Sequence, residues 1–218
     1  MEETNFVLLW KEQYQKIDQA LVINKRLLQE RLSEKANGIL RSLTWIKSIG
    51  VIAGILYLLL LGAALFIAIT HYSAAANYFI VSIGAIFLIN IKAVYDFIKH
   101  IVWINRINFD GRITDIQEQL SQLQLSMIQH VRVMCLQFPF WTTFSLSSKW
   151  FPSETPAGVI VLIILLTFSF IVLSVFLYRN LTINNMHKKW VRNILSGISN
   201  NKVEKAMALC KEIASFKE

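Results

Sequence analysis

Apolar and polar positions alternate along this chain in blocks, and the apolar blocks set its plan. Ile49 to Ile69 reads IGVIAGILYLLLLGAALFIAI, with no charge, no proline and nothing more polar than a tyrosine hydroxyl. At about 1.5 Å per residue a helix of this length crosses a hydrocarbon core of about 30 Å. A second apolar run, Tyr78 to Ile91, closes on Lys92, Asp96 and Lys99. A third, Val133 to Ser148, is shorter and carries Pro139, which a spanning helix tolerates as a kink. The last, Ala157 to Tyr178, is again uncharged. The pattern predicts an all-α membrane protein with four transmembrane helices and cytoplasmic helical extensions forming a bundle.

The polar stretches are helical in period. Trp10, Tyr14, Ile17, Leu21, Asn24 and Leu28 recur at alternating steps of four and three, the seam of a heptad with an Asn inside it. Such a helix either pairs with a partner or a second copy, its Asn fixing register, or joins a bundle within the chain. A cleaner seam runs through Ile113, Ile116, Leu120, Leu123, Met127, His130 and Met134. Its start is announced by an Asp-Gly turn within Asn108–Arg112 and by a capping box of Thr114 with Gln117. The nearest cover for this seam is the N-terminal one. Pro152 to Pro156 reads as a turn capped by Thr155, and the chain ends in a basic tail with weak amphipathy through Val203, Met207 and Cys210. The expected segments are a helix over 1–45, two spans and a short external loop over 46–106, a turn and heptad helix over 107–134, two spans over 133–178, and a tail over 179–218.

Charge changes the picture by giving it direction. Of the 22 Lys and Arg residues, eight lie in 1–48, four in 99–132 and eight in 179–218. Four crossings with both termini inside place twenty of them in the cytoplasm, whereas two crossings would export the 99–132 segment. The positive-inside rule therefore selects four spans, N-in and C-in. Trp45, Tyr95, Trp103 and Tyr178 then mark the inner face, and Tyr72, Tyr78 and Trp150 the outer. The net charge of +8 and mean hydropathy of +0.47 suit this arrangement better than direct nucleic-acid binding, because the positives flank apolar runs instead of forming one aromatic-laced patch.

Candidate chemistry is sparse. Cys135 and Cys210 have no metal or redox spacing and face a reducing compartment as free thiols. No HExxH, GxSxG or Walker loop is present, so no enzyme, cofactor or metal is expected. Gly50 and Gly54 form a GxxxG pair for close helix packing. Lys92, Asp96 and Lys99 share one helix face as a boundary stripe, with Asp96 expected to pair with Lys92, Lys99 or Arg132. Residues of the central apolar seam, Ile113, Ile116, Leu120, Leu123 and Met127, are the candidate partner-binding residues. His130 on that seam is either a packing histidine or a pH sensor.

Three stretches, LWKEQYQKID at Leu9 to Asp18, INFDGRITDIQEQLSQLQ at Ile107 to Gln124 and CLQFPFWTT at Cys135 to Thr143, carry a family likeness. Through them the whole chain resembles a family of small bacterial four-span inner-membrane proteins that tend to be encoded beside extracytoplasmic-function sigma factors. The resemblance implies a membrane-bound regulator, anti-sigma-like, whose partner is a cytoplasmic sigma factor. Two functions thus stand side by side: an interaction protein presenting cytoplasmic helices, favoured by the heptad seams, and an ion or small-solute transporter. The transporter would assemble as a homo-oligomer through Gly50 and Gly54, with Lys92 and Asp96 on its pathway.

Overall fold

A computed structural model describes residues 2–109, 111–144, 146, 156–196 and 200–215. Among these the protein is all-helical. The helices are α1 (Glu2–Thr70), α2 (Asn77–Arg106), α3 (Ile113–Cys135), α4 (Phe138–Thr143), α5 (Ala157–Asn180), α6 (Lys189–Ser196) and α7 (Asn200–Ser215). Three of them, α1, α2 and α5, contain stretches long and apolar enough to cross a membrane.

The first polar helix and the first span are one element. No proline interrupts residues 2–70, and the strong helix formers of the polar part run into the apolar part without a cap. At 1.5 Å per residue α1 is about 100 Å long. It packs against α2 through its glycines. A Cβ on Gly50 would lie 2.9 Å from Cε2 of Phe97, and one on Gly54 would lie 2.6 Å from Cγ2 of Val94. The GxxxG pair is thus consumed within the chain, and the oligomer contact expected of that face is closed off by α2.

α2 ends at Arg106, and the backbone turns through a Gly111 N–H to Asn108 carbonyl bond of 3.3 Å. α3 then returns antiparallel to α2. Its start differs from the expected capping box. The helix begins at Ile113, one residue before Thr114, and no side chain caps it; Thr114 instead donates to Asp115 at 3.3 Å.

The region around Pro139 also differs. One kinked helix was expected, but α3 stops at Cys135 and α4 starts at Phe138 with Pro139 in its first turn. Proline fits there because its missing N–H falls among donors that a helix start leaves unpaired anyway. Leu136 and Gln137 bridge the two helices with i→i+3 bonds to Val133 and Met134. α4 continues along α2, joined to it by Ser82–Thr143 at 2.8 Å and preceded by Asn90–Gln137 at 3.3 Å. α5 runs back beside it, with Thr142 bonded to Thr167 and Ser174 to the Cys135 carbonyl. The expected turn at 152–155, its Thr155 cap and the boundary residues Lys149 and Trp150 lie outside the described residues.

The main core lies outside the apolar spans. Ile116, Leu120, Leu123 and Met127 of α3 pack with Leu40, Leu43 and Ala36 of α1, Ile104 of α2, and Val203, Ala206 and Cys210 of α7. The central seam is therefore covered, but not by the residues expected to cover it. Trp10, Tyr14, Ile17 and Leu21 are each more than half exposed and Leu28 is 41% exposed. The cover comes from the next stretch of α1, where the spacing changes from the heptad to Leu28, Leu32, Ala36 and Leu40. Three successive steps of four shift the apolar stripe around the helix, as a stutter does. The tail supplies the remainder, a larger role than its weak pattern promised. α6 closes a second cluster, in which Val191 and Leu195 meet Ile128, Val131, Cys135 and Leu181.

The α1–α2 contact yields a direct test. Gly54→Leu must push Val94 aside and should lower stability in detergent by about 1–3 kcal/mol, the usual cost of overpacking. Gly84→Leu, where no atom lies within 4 Å of the added Cβ, should leave the melting temperature nearly unchanged.

Candidate functional site

Where α1, α2 and α3 meet, just beyond the apolar runs, the structure buries a group of ionisable side chains. Helical spacing brings them together. Lys92, Asp96 and His100 follow one another at i, i+4 and i+8 on α2, and Ser126 and His130 at i, i+4 on α3. Lys47 continues the buried face of Leu40 and Leu43 on α1.

Asp96 is the hub. Its Oδ2 accepts from Lys92 Nζ at 2.6 Å and lies 3.2 Å from His130 Nδ1. His100 is fully buried; its Nε2 lies 3.0 Å from Ser126 Oγ, and its Nδ1 meets no partner among the described residues. The two imidazoles stand edge to face with centroids 6.1 Å apart. Lys47 is only 4% exposed, and its ammonium sits 4.6 Å over the Phe97 ring, which also tilts against His130 at 4.8 Å. A cation over an aromatic face in a desolvated place gains more than it would at the surface.

The boundary stripe expected from the sequence thus splits. Lys92 remains half-exposed while reaching Asp96. Lys99 turns away to lie 4.3 Å over Trp103 and makes no part of the group. Of the three partners expected for Asp96, Lys92 is found. Arg132 instead donates to the Tyr178 carbonyl at 2.8 Å and stacks on the Tyr178 ring. His130 packs in the seam, and its Nδ1 also lies against the Asp96 carboxylate. Lys47, two residues past the boundary Trp45, is buried where a lysine at the edge of an apolar run ordinarily reaches the headgroups. The available signal was the step of three and four from Leu40 through Leu43 to Lys47. His100 was missed, although it stands one turn beyond Asp96 on the same face.

Burial pushes the His130 imidazole below its ordinary pKa, and the hydrogen bond to Asp96 opposes that shift only in part. The neutral ring can still donate from Nδ1 to the carboxylate, which fixes its tautomer. The candidate partner residues of α3 stand differently: Ile116, Leu120, Leu123 and Met127 are at most 4% exposed and Ile113 is half-buried. As the chain folds, that seam is filled by its own α1 and α7 and is not an open docking surface. Among the described residues no group of acidic, His and Cys side chains has the arrangement of a metal site. The arrangement holds a buried carboxylate between the Lys92 ammonium and the His130 imidazole, with Lys47 and His100 packed beside them.

Two outcomes test this reading. Removing the carboxylate leaves Lys47 buried without its nearest negative charge, so Asp96→Asn should cost about 3–5 kcal/mol, the range for breaking a buried pair. Lys47→Met in the same chain should recover part of that loss. For His130 the folded pKa is depressed, so the unfolded chain takes up the proton first as pH falls below the ordinary imidazole range near 6.5. Stability should therefore be full above about pH 7 and fall on acidification, with a slope bounded at about 1.4 kcal/mol per pH unit for one such group. His130→Gln should flatten the melting temperature between those limits. No protein-family profile matches this chain, and neither the curated proteins nor the solved structures give a match.

Proposed function

We propose that this is a membrane-anchored interaction protein of the bacterial inner membrane, with four crossings and both termini cytoplasmic. It holds a helical bundle beneath the bilayer and offers the N-terminal length of α1 to the cytoplasm. A soluble regulator is the partner class, and the family likeness makes a sigma factor the first candidate, with an anti-sigma-like role. The observation that carries the reading is α1 itself. One continuous helix joins an apolar span to a polar stretch whose seam residues Trp10, Tyr14, Ile17 and Leu21 stand exposed, while the seam of α3 is filled. Soluble apolar seams of this kind are rarely left open, because they mark association sites.

Four crossings are supported by two independent observations. The distribution of Lys and Arg favours keeping 99–132 inside. The pairs Asn90–Gln137, Ser82–Thr143 and Thr142–Thr167 carry the chain after α3 alongside α2 and back along α5, which is the course a third pass beginning at the end of α3 would take. Transport is less well supported, since the ionisable group sits at one end of the apolar runs and the Gly50/Gly54 face is occupied by α2.

Cysteine accessibility checks the topology. A membrane-impermeant reagent applied outside should label Ser73→Cys and Ser153→Cys and leave Ser121→Cys and Ser199→Cys unlabelled; outside labelling of Ser121→Cys would overturn four crossings. Affinity purification from native membranes checks the function. A soluble regulator should co-purify with the whole chain and be lost from a variant lacking residues 1–28, which keeps the buried stretch of α1 from Leu32 onward. Retention of the partner by that variant would remove the N-terminal helix from the reading.

A further inference from the structure

Beyond the bundle, α1 stands alone. The far end of the bundle, formed by Phe109, Gly111, Ile113 and Ile213, meets α1 at Arg26 to Ser33. From there to Trp10 the described seam residues are exposed: Trp10 57%, Tyr14 65%, Ile17 58%, Leu21 62% and Leu28 41%. These positions keep a strict heptad, unlike the steps of four that follow in the bundle. A spacing of 3.5 residues is the mark of a helix that supercoils with another helix, whereas packing onto a globular core needs only the 3.6 period.

We infer that this stretch is a parallel two-stranded coiled coil with a second copy of the same chain, forming a dimeric stalk below the membrane. The inference rests on the membrane anchoring of the proposed function; the second copy fills the seam, so a soluble regulator would meet the outer faces of the coil. Three observations select the occupant. First, α1 is continuous with an apolar span, so all copies in one bilayer present this helix in the same direction and within the same layer of cytoplasm. Second, the flanking charges discriminate between orientations. With Trp10, Ile17 and Asn24 at d and Tyr14, Leu21 and Leu28 at a, the e positions are Lys11, Asp18 and Lys25 and the g positions are Gln13, Ala20 and Leu27. An antiparallel pair sets e against e, which brings Lys11 to Lys25 and Asp18 to Asp18. A parallel pair sets g against the following e, so Asp18 meets Gln13 and Lys25 meets Ala20, with no like charges opposed. Third, Asn24 interrupts the apolar seam, and in a parallel pair it meets its own copy, where two amides can bond each other. Meeting its own copy satisfies both amides, whereas a slipped register would bury each without a partner. Three heptads are short for association in dilute solution, and tethering in a common membrane raises the effective concentration that offsets this.

Single-cysteine crosslinking of the full chain in native membrane vesicles tests the pairing, because in a parallel symmetric coil each seam residue meets itself. The native Cys135 and Cys210 are buried and serve as the unsubstituted control. Under mild oxidation Tyr14→Cys, Ile17→Cys and Leu21→Cys should each give a disulfide-linked dimer, at least about tenfold more than Gln19→Cys on the opposite side of the helix. Leu21→Asp added to Ile17→Cys should abolish the crosslink without shifting the melting temperature, since Leu21 lies outside the bundle. Equal crosslinking at Gln19→Cys, or none at the three seam positions, would overturn the inference. So would a crosslink only between Leu21→Cys and Ile17→Cys chains mixed in one membrane, which marks an antiparallel pair with a set against d. A seam cysteine captured by a chain of different mass would also overturn it while leaving the soluble-partner reading intact. Dimer crosslinks with no co-purifying regulator would do the reverse.

Discussion

The seam of α3 imposes the architecture outside the membrane. Leu120 and Leu123 are fully buried and Ile116 and Met127 nearly so, and each such side chain contributes about 1.5–3 kcal/mol when taken from water. No single neighbour could cover them all. α2 contributes the buried Ile104 and the partly buried Trp103. The remaining cover is drawn from the two ends of the chain: Ala36, Leu40 and Leu43 before the first span, Val203, Ala206 and Cys210 after the last. The stretch of α1 before its apolar run and the C-terminal α7 are thereby pinned to one central helix. The bundle closes through contacts far apart in sequence, while the spans themselves touch mostly in neighbouring pairs.

A second constraint follows from where that bundle joins the apolar runs. Every helix passing from water to lipid must carry its last polar groups through the junction. Here α1 and α2, two of the helices long and apolar enough to cross, and α3 beside them bring such groups to one place. Asp96 is acceptable there because Lys92 and His130 bond it, and Lys47 because Phe97 and the carboxylate lie close. The group is a joint between two packings of opposite character. Its cost is met only if all three helices arrive in register, so it rewards one relative placement of spans and bundle over others.

The parts of this fold governed by periodicity were legible from residues alone. The apolar runs of α1, α2 and α5, the turn before α3 and the inward face of α3 all follow from spacing. What was not legible had physical reasons. The heptad of Trp10 to Leu28 and the seam of α3 look complementary by pattern, but the stutter between Leu28 and Leu40 rotates the stripe and hands the contact to Ala36 and Leu43. Ala36 is too small to stand out in a hydropathy pattern, yet it is fully buried. Lys47 resembled an anchor because a lysine beside Trp45 at a span's edge usually snorkels; its register with Leu43 overrode that tendency. Pro139 read as a kink, and the tertiary bonds of Gln137 and Thr143 to α2 favoured a restart instead.

The unbroken course of α1 also sets an altitude. From Trp45, at the edge of the span, to Trp10 the helix climbs thirty-five residues, or about 50 Å at its regular rise. The field of anionic headgroups fades within about 8–10 Å of the surface at physiological ionic strength. The tip of α1 therefore lies beyond the reach of that field. Whatever meets it there approaches without drag or attraction from the lipid surface, and an acidic regulator is no more repelled by the membrane than a basic one is drawn to it.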